Sequence, residues 1–467
     1  MTAPPIPVLG RRAAGGRTAP LLGISLGYFM VLLDMTVLSV AEPDLAASLK
    51  TSVAGLQWAT TGYTVTFGAL LLSAGAVADR YGAHRIFRIG VAVFGAGSLL
   101  SAAAPTLWAL VLLRALLGVA AAACVPASMA IIARLYPEPA PRARAVSAWA
   151  AVSGAAMAVG PIAGGLLVDA AGWRSIFLVN VPIAVVALAL TAGRAVRCPL
   201  SDRRIDWTAQ LAACAVLALL TDALIAAGSR APAHAASSTA AMLAIVAVFV
   251  ALERRSDAPV LNRGLLRTAQ VRAGLVAGAA VNFALSGGLF VLPLLLQREH
   301  HLSPVATGLA FLPLTVPFAL NPLITGRIVA RVGPRPPILA GLVLLTAGGA
   351  ILSRAALPGT GRLWLEPGLL LCGFGVSFAL PALVGAIISA APEGTAGAVG
   401  GLLNAVRQTG ATLGVTAMGA FVTAQTANGT SGALLLSALV CAAAALLFAR
   451  GARRSRPAAR GADRDRA

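Results

Sequence analysis

The sequence predicts an all-α polytopic membrane protein with fourteen transmembrane helices, arranged as two six-helix bundles with two further helices inserted between them. Its 467 residues are 58% hydrophobic and only 11% charged, and the mean hydropathy is +0.86. Soluble domains carry about 25% charged residues, so this composition indicates a chain that lies mostly in lipid. A window of about 20 residues, long enough to cross roughly 30 Å of hydrocarbon, finds fourteen apolar segments.

The positive charge follows the loops and not one folded face. A net charge of +20 in a soluble chain would suggest a nucleic-acid partner. Here most Lys and Arg residues fall in alternate loops and in the tails, as expected when cytoplasmic loops retain basic residues. This placement favours an even number of spans with both termini cytoplasmic, although the two inserted spans are the weakest. We therefore predict a multi-pass protein of the cytoplasmic membrane, surrounded by lipid, with no nucleic-acid partner.

The first apolar segment is interpreted as a retained helix. Arg11 and Arg12 precede an apolar run at 21–41 that ends in small residues, as a cleaved signal peptide would. The run is longer than the roughly 15 residues of a signal-peptide core, and it carries Asp34. The tails at 1–20 and 451–467 are rich in Arg, Ala, Gly and Pro and are predicted to be disordered, basic and cytoplasmic.

A charged, glycine-punctuated hairpin occurs twice. Gly75-Ala-Val-Ala-Asp79-Arg80-Tyr-Gly82-Ala-His-Arg85 follows the second apolar segment, and Gly326-Arg-Ile-Val-Ala-Arg331-Val-Gly333-Pro-Arg335 follows the tenth. Isolated matches arise in any membrane loop, but glycine, arginine and glycine recur here at the same offsets. Two repeated six-helix halves around a central cavity are an established transporter plan. We predict an N-terminal bundle at 21–193, a linker with two inserted helices at 194–270, and a C-terminal bundle at 271–450.

Two charged residues lie within apolar segments of the N-terminal half. Asp34 is in the first segment and Arg114 in the fourth. A charge at the centre of a membrane helix costs roughly 2.5–3.5 kcal/mol, so such a residue is a functional candidate by default. A buried carboxyl group can exchange a proton, whereas arginine stays charged. Asp34 is therefore the first candidate for a proton and cation site, with Arg114 as its counter-charge; structural hydrogen bonding is the alternative for each.

The fifth segment carries closely spaced glycines and a proline. It reads Gly154-Ala-Ala-Met-Ala-Val-Gly160-Pro161-Ile-Ala-Gly164-Gly165. Proline removes a helical hydrogen bond and bends the helix. Glycines at GxxxG spacing allow a second helix to approach closely. This pattern predicts a bent and tightly packed gating helix.

These motifs together resemble the major facilitator superfamily, and within it the fourteen-span drug:proton antiporter branch. The resemblance covers nearly the whole chain. Besides the hairpin and the fifth segment, it rests on Leu33-Asp34-Met-Thr36-Val-Leu-Ser39-Val-Ala-Glu42-Pro43 and on Leu113-Arg114-Ala-Leu-Leu117-Gly118. Ser39, Glu42 and Leu117 depart from the residues usual in that family. The resemblance implies the major facilitator fold, and a conformational latch made of Gly75, Asp79, Arg80, Gly82 and Arg85.

The resemblance also implies a function. It indicates a monomeric, proton-coupled antiporter that exports lipophilic or cationic small molecules, such as drugs and antibiotics, by alternating access, with no cofactor beyond the proton gradient. A dedicated exporter of one endogenous metabolite or antibiotic fits the sequence equally well. A membrane sensor or polytopic membrane enzyme is a remote alternative, because the loops are short and neither a P-loop nor a nucleophile elbow occurs. Five widely spaced cysteines, and four histidines of which only His300 and His301 are adjacent, indicate no metal site.

Four further residues are secondary candidates for the substrate or proton pathway. Trp58 and Tyr63 in the second segment could line a cavity, although aromatic residues more often anchor a helix at the membrane interface. Arg407 in the thirteenth segment either lies buried or extends to the cytoplasmic edge. Asp222 is a second intramembrane acid, in the seventh segment. If the inserted pair packs outside the bundles, a structural role for Asp222 is favoured.

Overall fold

The computed structural model describes residues 12–193, 198, 206–255, 269–357, 362–389, 396–423 and 428–454. Within these ranges it contains 17 α-helices and no strand. The outer parts of the predicted tails, at 1–11 and 455–467, lie outside the described residues. So do most of the polar parts of the predicted linker, at 194–197, 199–205 and 256–268.

The N-terminal half contains seven helices. They are α1 Arg12–Ser48, α2 Val53–Tyr81, α3 Ala83–Ala102, α4 Leu107–Leu135, α5 Pro139–Ala171, α6 Ser175–Leu178 and α7 Asn180–Leu190. Ser52 and Thr106 cap the starts of α2 and α4 through side-chain hydrogen bonds, as short polar residues at such positions do. The two helices that follow are α8 Trp207–Gly228 and α9 Pro232–Arg255.

The C-terminal half contains the remaining eight helices. They are α10 Ala269–Leu294, extended by a π turn Leu295–Glu299, then α11 Pro304–Ala310, α12 Leu312–Leu320, α13 Pro322–Val332, α14 Arg335–Ala355, α15 Leu365–Ser389, α16 Ala396–Thr423 and α17 Gly429–Arg454. Prolines stand at or beside the starts of α11, α12 and α13. Because proline cannot donate a backbone hydrogen bond, it explains why the tenth predicted segment is three short helices.

The number of membrane spans is resolved only in part. Among the described residues, ten helices are long and apolar enough to cross a membrane, or eleven if α2, bent by 65° near Ser73, counts as one span. The sixth predicted segment corresponds to the short pair α6 and α7, and the tenth to α11, α12 and α13. The thirteenth, α16, is not among the ten. The chain is a multi-pass membrane protein, and the count of fourteen stays a prediction.

The inserted pair packs outside the two halves. Helix α8 contacts α2 of the first half and α16 of the second, whereas the main contact of α9 is with α8. Among the described residues of α9, only Ser238 and Glu253 are buried. Gln210 of α8 donates a hydrogen bond to the carbonyl O of Ala69. Helix α9 therefore lies at the periphery, away from the seam between the halves.

The repeated hairpin has a glycine with positive φ at the same position in both halves. Gly82 joins α2 to α3 with φ 90°, and Gly333 follows α13, just before α14, with φ 80°. This region of φ favours glycine, which lacks a Cβ atom. A side chain on either Gly75 or Gly326 would meet nothing within 4 Å. The sequence echo is thus matched by a structural one.

The two halves touch at the end of the molecule where α1 terminates at Ser48. The Gln297 side chain donates to the carbonyl O of Val40 at 2.8 Å, and Gln57 donates to that of Thr416 at 2.8 Å. The last turns of α5 also pack on α11. Toward the other end, much of the first half of α5 is exposed, and a Cβ on Gly154 would meet nothing within 4 Å. The halves are therefore in close contact at the Ser48 end, whereas the first half of α5, toward the end where α1 begins, is largely exposed.

Candidate functional site

Asp34 and Arg114 form a buried ion pair in the N-terminal half. Arg114 Nη1 donates to Asp34 Oδ2, and Arg114 Nε donates to the carbonyl O of Ala59 at 3.2 Å. Each of the two charged residues is 1% exposed. The structure thus joins helices α1 and α4 at the candidate proton site and the residue that the sequence analysis named as its counter-charge.

A third polar residue completes this site. Asn180 Nδ2 donates to Asp34 Oδ1 at 3.1 Å and also lies 3.3 Å from Ser98 Oγ. Asn180 is the first residue of α7, directly after the break that separates α6 from α7. The site analysis of the sequence missed Asn180 as a functional residue. A neutral amide within an apolar segment is a weak signal, because it costs far less to bury than a charge.

Tyr63 forms one wall of the ion pair. The Arg114 Cζ atom lies 4.6 Å from the centre of the Tyr63 ring, a cation–π distance. The Tyr63 hydroxyl donates to the carbonyl O of Val31 at 3.2 Å. Tyr63 is fully buried, so its ring lies inside the bundle and not at the membrane interface.

The chemistry available here is exchange of one proton on a carboxyl group. The Asp34 carboxylate accepts hydrogen bonds from the Arg114 guanidinium and from the Asn180 amide, so each of its oxygens has a donor. Protonation of Asp34 would remove its attraction for Arg114 and leave the buried Arg114 guanidinium without an anionic partner. Because helices α1, α3, α4 and α7 all contribute, such a change would alter packing within the N-terminal half.

The glycines of α5 pack directly on α1 next to this pair. A Cβ on Gly160 would overlap Thr36, and one on Gly164 would lie 2.7 Å from the carbonyl O of Val37. Thr36 follows Asp34 by two residues, and its hydroxyl lies 3.5 Å from the carbonyl O of Ala156. On the α11 side of α5, a Cβ on Gly165 would lie 2.4 Å from the carbonyl O of Pro304. Helix α5 therefore connects the surroundings of Asp34 to the seam between the halves.

The predicted latch residues lie at the turn between α2 and α3. Asp79 is half-buried, whereas Arg80 and Arg85 are exposed, and Arg80 lies 5.6 Å from the Tyr81 ring centre. In the same turn, His84 Nδ1 accepts a hydrogen bond from the backbone N–H of Cys198 at 3.1 Å, which ties the start of the linker to the hairpin. Partial burial raises the pKa of the Cys198 thiol above its ordinary value.

The secondary candidates lie in three different environments. The Trp58 and Trp108 ring centres are 6.3 Å apart, and Trp108 is 61% exposed, as expected near the membrane surface. Asp222 Oδ2 lies 2.8 Å from His234 Nε2, so this acid ties α8 to α9 outside the bundles. Arg407 is half-buried on α16, beside amide side chains. The structure therefore places neither Trp58 nor Asp222 with Asp34 and Arg114.

Glu42 is a buried acid that the sequence analysis noted only as a departure from the family. It is 2% exposed, and its Oε1 accepts from the Thr60 hydroxyl at 3.1 Å. Within the described residues its Oε2 has no hydrogen-bond partner. Glu42 lies two residues after Val40, where the halves meet. Across all the described residues, no group of three or more His, Cys, Asp or Glu residues could hold a metal ion.

Comparisons with solved structures show the fold. A bacterial homologue of the human lysosomal transporter Spinster, solved in an inward-facing and unoccupied conformation, superposes with a TM-score of 0.68 at 18% identity. The match covers 95% of this chain and 98% of that one. A mutant of the nucleoside transporter NupG gives a TM-score of 0.64 at 13% identity, covering 93% and 99%.

Sequence comparisons show closer relatives. The chain is 38% identical over 424 residues to the puromycin resistance protein pur8 of Streptomyces alboniger, covering 87% of this chain and 82% of that one. It is 34% identical over 411 residues to the multidrug resistance protein Stp of Mycobacterium tuberculosis, covering 86% and 75%. For the tetracenomycin C resistance and export protein of Streptomyces glaucescens, the identity is 32% over 419 residues, covering 86% and 76%.

The family model of the Major Facilitator Superfamily matches residues 24–415. That range includes the ion pair, the first hairpin and helix α5, together with most of the C-terminal half. A carrier of this kind moves small molecules across a membrane and is not an enzyme. The chain therefore belongs to the Major Facilitator Superfamily of membrane transporters.

Proposed function

We propose that this protein is a fourteen-span, proton-coupled antiporter of the cytoplasmic membrane that exports lipophilic small molecules, including drugs and antibiotics. The observation that carries this proposal is the buried ion pair of Asp34 and Arg114, supported by Asn180 and adjacent to the gating helix. An intramembrane acid with one cationic partner is the arrangement expected of a proton site. The names of three relatives, which refer to multidrug, puromycin and tetracenomycin C resistance, support drugs as the substrate class.

The proposed direction of transport, export, is supported by the resistance and export names of the relatives. The basic hairpin with Arg80 and Arg85 lies at the end where α1 begins, and basic loops favour the cytoplasmic side. With this orientation, the contacts at the Ser48 end close the outer surface, and the largely exposed first half of α5 lies on the cytoplasmic side. A substrate loads from the cytoplasm while Asp34 is anionic and paired with Arg114. Rearrangement to the outward-open state then exposes the substrate to the outside, where Asp34 takes up a proton.

Coupling between these events runs through α5. Loss of the Asp34–Arg114 attraction changes the packing of α1, and α1 contacts Gly160 and Gly164 of α5 through Thr36 and Val37. The other face of α5 holds the outer closure through Gly165. A charge change at Asp34 therefore biases two discrete packings of the same helices, which is what a two-state switch requires.

The substitution Asp34→Asn tests the coupling. Asparagine keeps one acceptor oxygen, for Arg114 or for Asn180, and cannot exchange a proton, so we expect proton-coupled efflux to be lost while the protein still folds. Everted membrane vesicles would measure drug-driven proton release, and equal expression would be verified by immunoblot. The exposed acid Asp169 on α5 provides a matched control, and Asp169→Asn should retain activity. Coupled efflux that persists in Asp34→Asn would exclude Asp34 as the coupling site.

A compound screen tests the substrate class. The chain would be expressed in a host that lacks its own efflux pumps and challenged with a panel of toxic compounds, with and without a protonophore. We expect tolerance to several lipophilic compounds that disappears when the proton gradient collapses. Tolerance that survives the protonophore would argue against antiport. Tolerance to a single compound would favour the dedicated exporter.

A further inference from the structure

Helix α16 carries a cation at the seam that has no acidic partner among the described residues. Arg407 Nε donates to Asn282 Oδ1 at 3.3 Å, and Arg407 Nη1 donates to Asn404 Oδ1 at 3.0 Å. Both acceptors are neutral amides. Arg114, the other arginine within a predicted span, is instead neutralised by Asp34. The two halves therefore differ: one holds a closed ion pair and the other holds an unbalanced positive charge.

The hydrogen bonds of Arg407 leave much of its binding capacity unused. A guanidinium carries five N–H donors in a planar fork that matches a carboxylate. In the described part of the chain, two of these five donors are engaged, and neither bond cancels the charge. A charge within a membrane protein is expensive unless it is paired or faces a water-filled cavity. The site is therefore electrostatically incomplete without an anion.

The position of Arg407 directs this charge toward the space between the halves. Helix α16 contacts α10 of its own half and α2 of the other half. The side-chain stem packs on α10, where a Cβ on Gly278 would lie 3.3 Å from Arg407 Cγ. The guanidinium is near enough to interact electrostatically with the hydroxyl of Tyr28 on α1. Arg407, Asn404 and Tyr28 are each only half-buried, so the site is accessible from the seam.

The opposite wall of the seam presents flat aromatic surface. Tyr28 of α1 and Trp149 of α5 stack with ring centres 4.5 Å apart and planes inclined by 8°. Trp149, in the first half of α5, is 8% exposed and backs the Tyr28 ring, which is only half-buried. Stacked rings bind planar apolar groups through dispersion and offset stacking. A cation on one wall and the Tyr28 ring, backed by Trp149, on the other would fit one ligand with two matching parts.

We infer that Arg407, with Asn282, Asn404 and the Tyr28–Trp149 pair, forms a substrate subsite for an anionic group attached to a planar aromatic or polycyclic body. The anionic group is a carboxylate, phenolate or enolate that takes the free donors of Arg407. This inference rests on the proposed export function and narrows it, since a cationic substrate would be repelled at this point. Specificity arises because only an anion completes the hydrogen bonding and the charge balance of Arg407.

The test uses two probes of the same shape and different charge, 9-anthracenecarboxylate and the neutral alcohol 9-anthracenemethanol. Binding to the purified full-length protein would be followed by fluorescence. We expect the wild type to bind the carboxylate more tightly than the alcohol. Arg407→Gln should weaken carboxylate binding about tenfold or more, the loss typical of one charge-assisted hydrogen bond, and leave alcohol binding unchanged. Arg407→Lys should restore part of the difference, because it returns the charge without the planar fork.

Two further variants keep the test decisive. Asn404→Asp places a carboxylate beside Arg407, which then has an internal partner, so binding of 9-anthracenecarboxylate should fall. This variant provides the test if Arg407→Gln does not fold. Arg88→Gln, at an exposed position of α3, is the matched control and should behave as the wild type. Equal binding of both probes by the wild type, or binding of neither, overturns the anionic subsite. Export itself is judged separately by the compound screen, so the two proposals fail independently.

Discussion

Replacing Gly165 with alanine tests whether α5 and α11 form the closure between the halves. An added Cβ would lie 2.4 Å from the carbonyl O of Pro304 and 2.9 Å from Val305 Cα. Ordinary van der Waals contact begins at 3.4 Å, so the two helices would have to separate by about 1 Å. Since the opposing atoms belong to the backbone, no rotamer change can relieve the overlap.

The magnitude follows from the cost of overpacking. Inserting one methyl group into a packed interface typically costs about 1–3 kcal/mol. Helices α5 and α11 belong to different halves, so this contact is lost when that end opens, and the cost falls on the closed state alone. We therefore expect the equilibrium to shift toward the other state by about 5- to 150-fold.

The assay measures access to the closed end. Thr307 on α11 is fully buried, and a cysteine placed there would report opening through its reaction with a membrane-impermeant maleimide added to intact cells. In the Gly165→Ala variant, the cysteine at position 307 should react with the maleimide faster than it does in the protein with Gly165, and drug export should be slower. Gly308→Ala, whose Cβ would lie 2.4 Å from the carbonyl O of Pro161, perturbs the same interface, and the double variant should be non-additive.

The matched control is Gly154→Ala on the same helix, because a Cβ there would meet nothing within 4 Å. It should label and transport like the parent. Equal labelling of Gly165→Ala and Gly154→Ala would refute the reasoning that the α5–α11 contact holds this end closed.

Three further predictions concern the polar residues around the core. Asn180→Ala removes one of two side-chain donors to the Asp34 carboxylate, so coupled efflux in vesicles should fall about tenfold. Ser98→Ala removes a group that contacts Asn180 but not Asp34, so its effect should be smaller. A larger effect of Ser98→Ala than of Asn180→Ala would contradict this assignment. Glu42→Gln keeps an acceptor for Thr60 in a site without an ion pair among the described residues, so the free energy of unfolding should change by less than about 1 kcal/mol. Glu42→Ala should lower the free energy of unfolding by more than that. Melting with a thiol-reactive dye, which reports exposure of the buried Cys124 and Cys441, measures both variants. Asp222→Asn breaks a partly exposed α8–α9 pair that contributes about 0–1 kcal/mol, so efflux rates should stay within about twofold of the wild type, and a complete loss would show that the inserted helices take part in transport.

The Asp34–Arg114 pair shows how far sequence reasoning reaches at the site. Each residue was identifiable by itself, because a charge in an apolar segment is costly and rarely retained without a role. Their contact was not identifiable, because it depends on how α1 and α4 rotate and translate against each other. Asn180 and the stacked Tyr28–Trp149 pair gave little or no signal, since amides and aromatic residues occur in membrane helices for many reasons.

The helix breaks show the same limit for the fold. The hydrophobic segments near α6 and α7, and near α11 to α13, were visible as apolar runs. A hydropathy window averages over a break, so it reports one span where the structure has two or three short helices. The prolines of α11, α12 and α13 were the local signal for one of these breaks, and their chemistry explains it.

The sequence by itself determined that the chain is a helical membrane protein, which residues carry unusual charge, and where the hairpin repeats. These properties are local, because hydropathy, charge and glycine conformation depend on a few neighbouring residues. Only the tertiary structure decided that Asp34 pairs with Arg114 inside one half, and that Arg407 faces the seam without an acidic partner in the described residues. It also decided which end of the seam is closed. Those properties depend on contacts between residues far apart in the chain, which arise when helices pack.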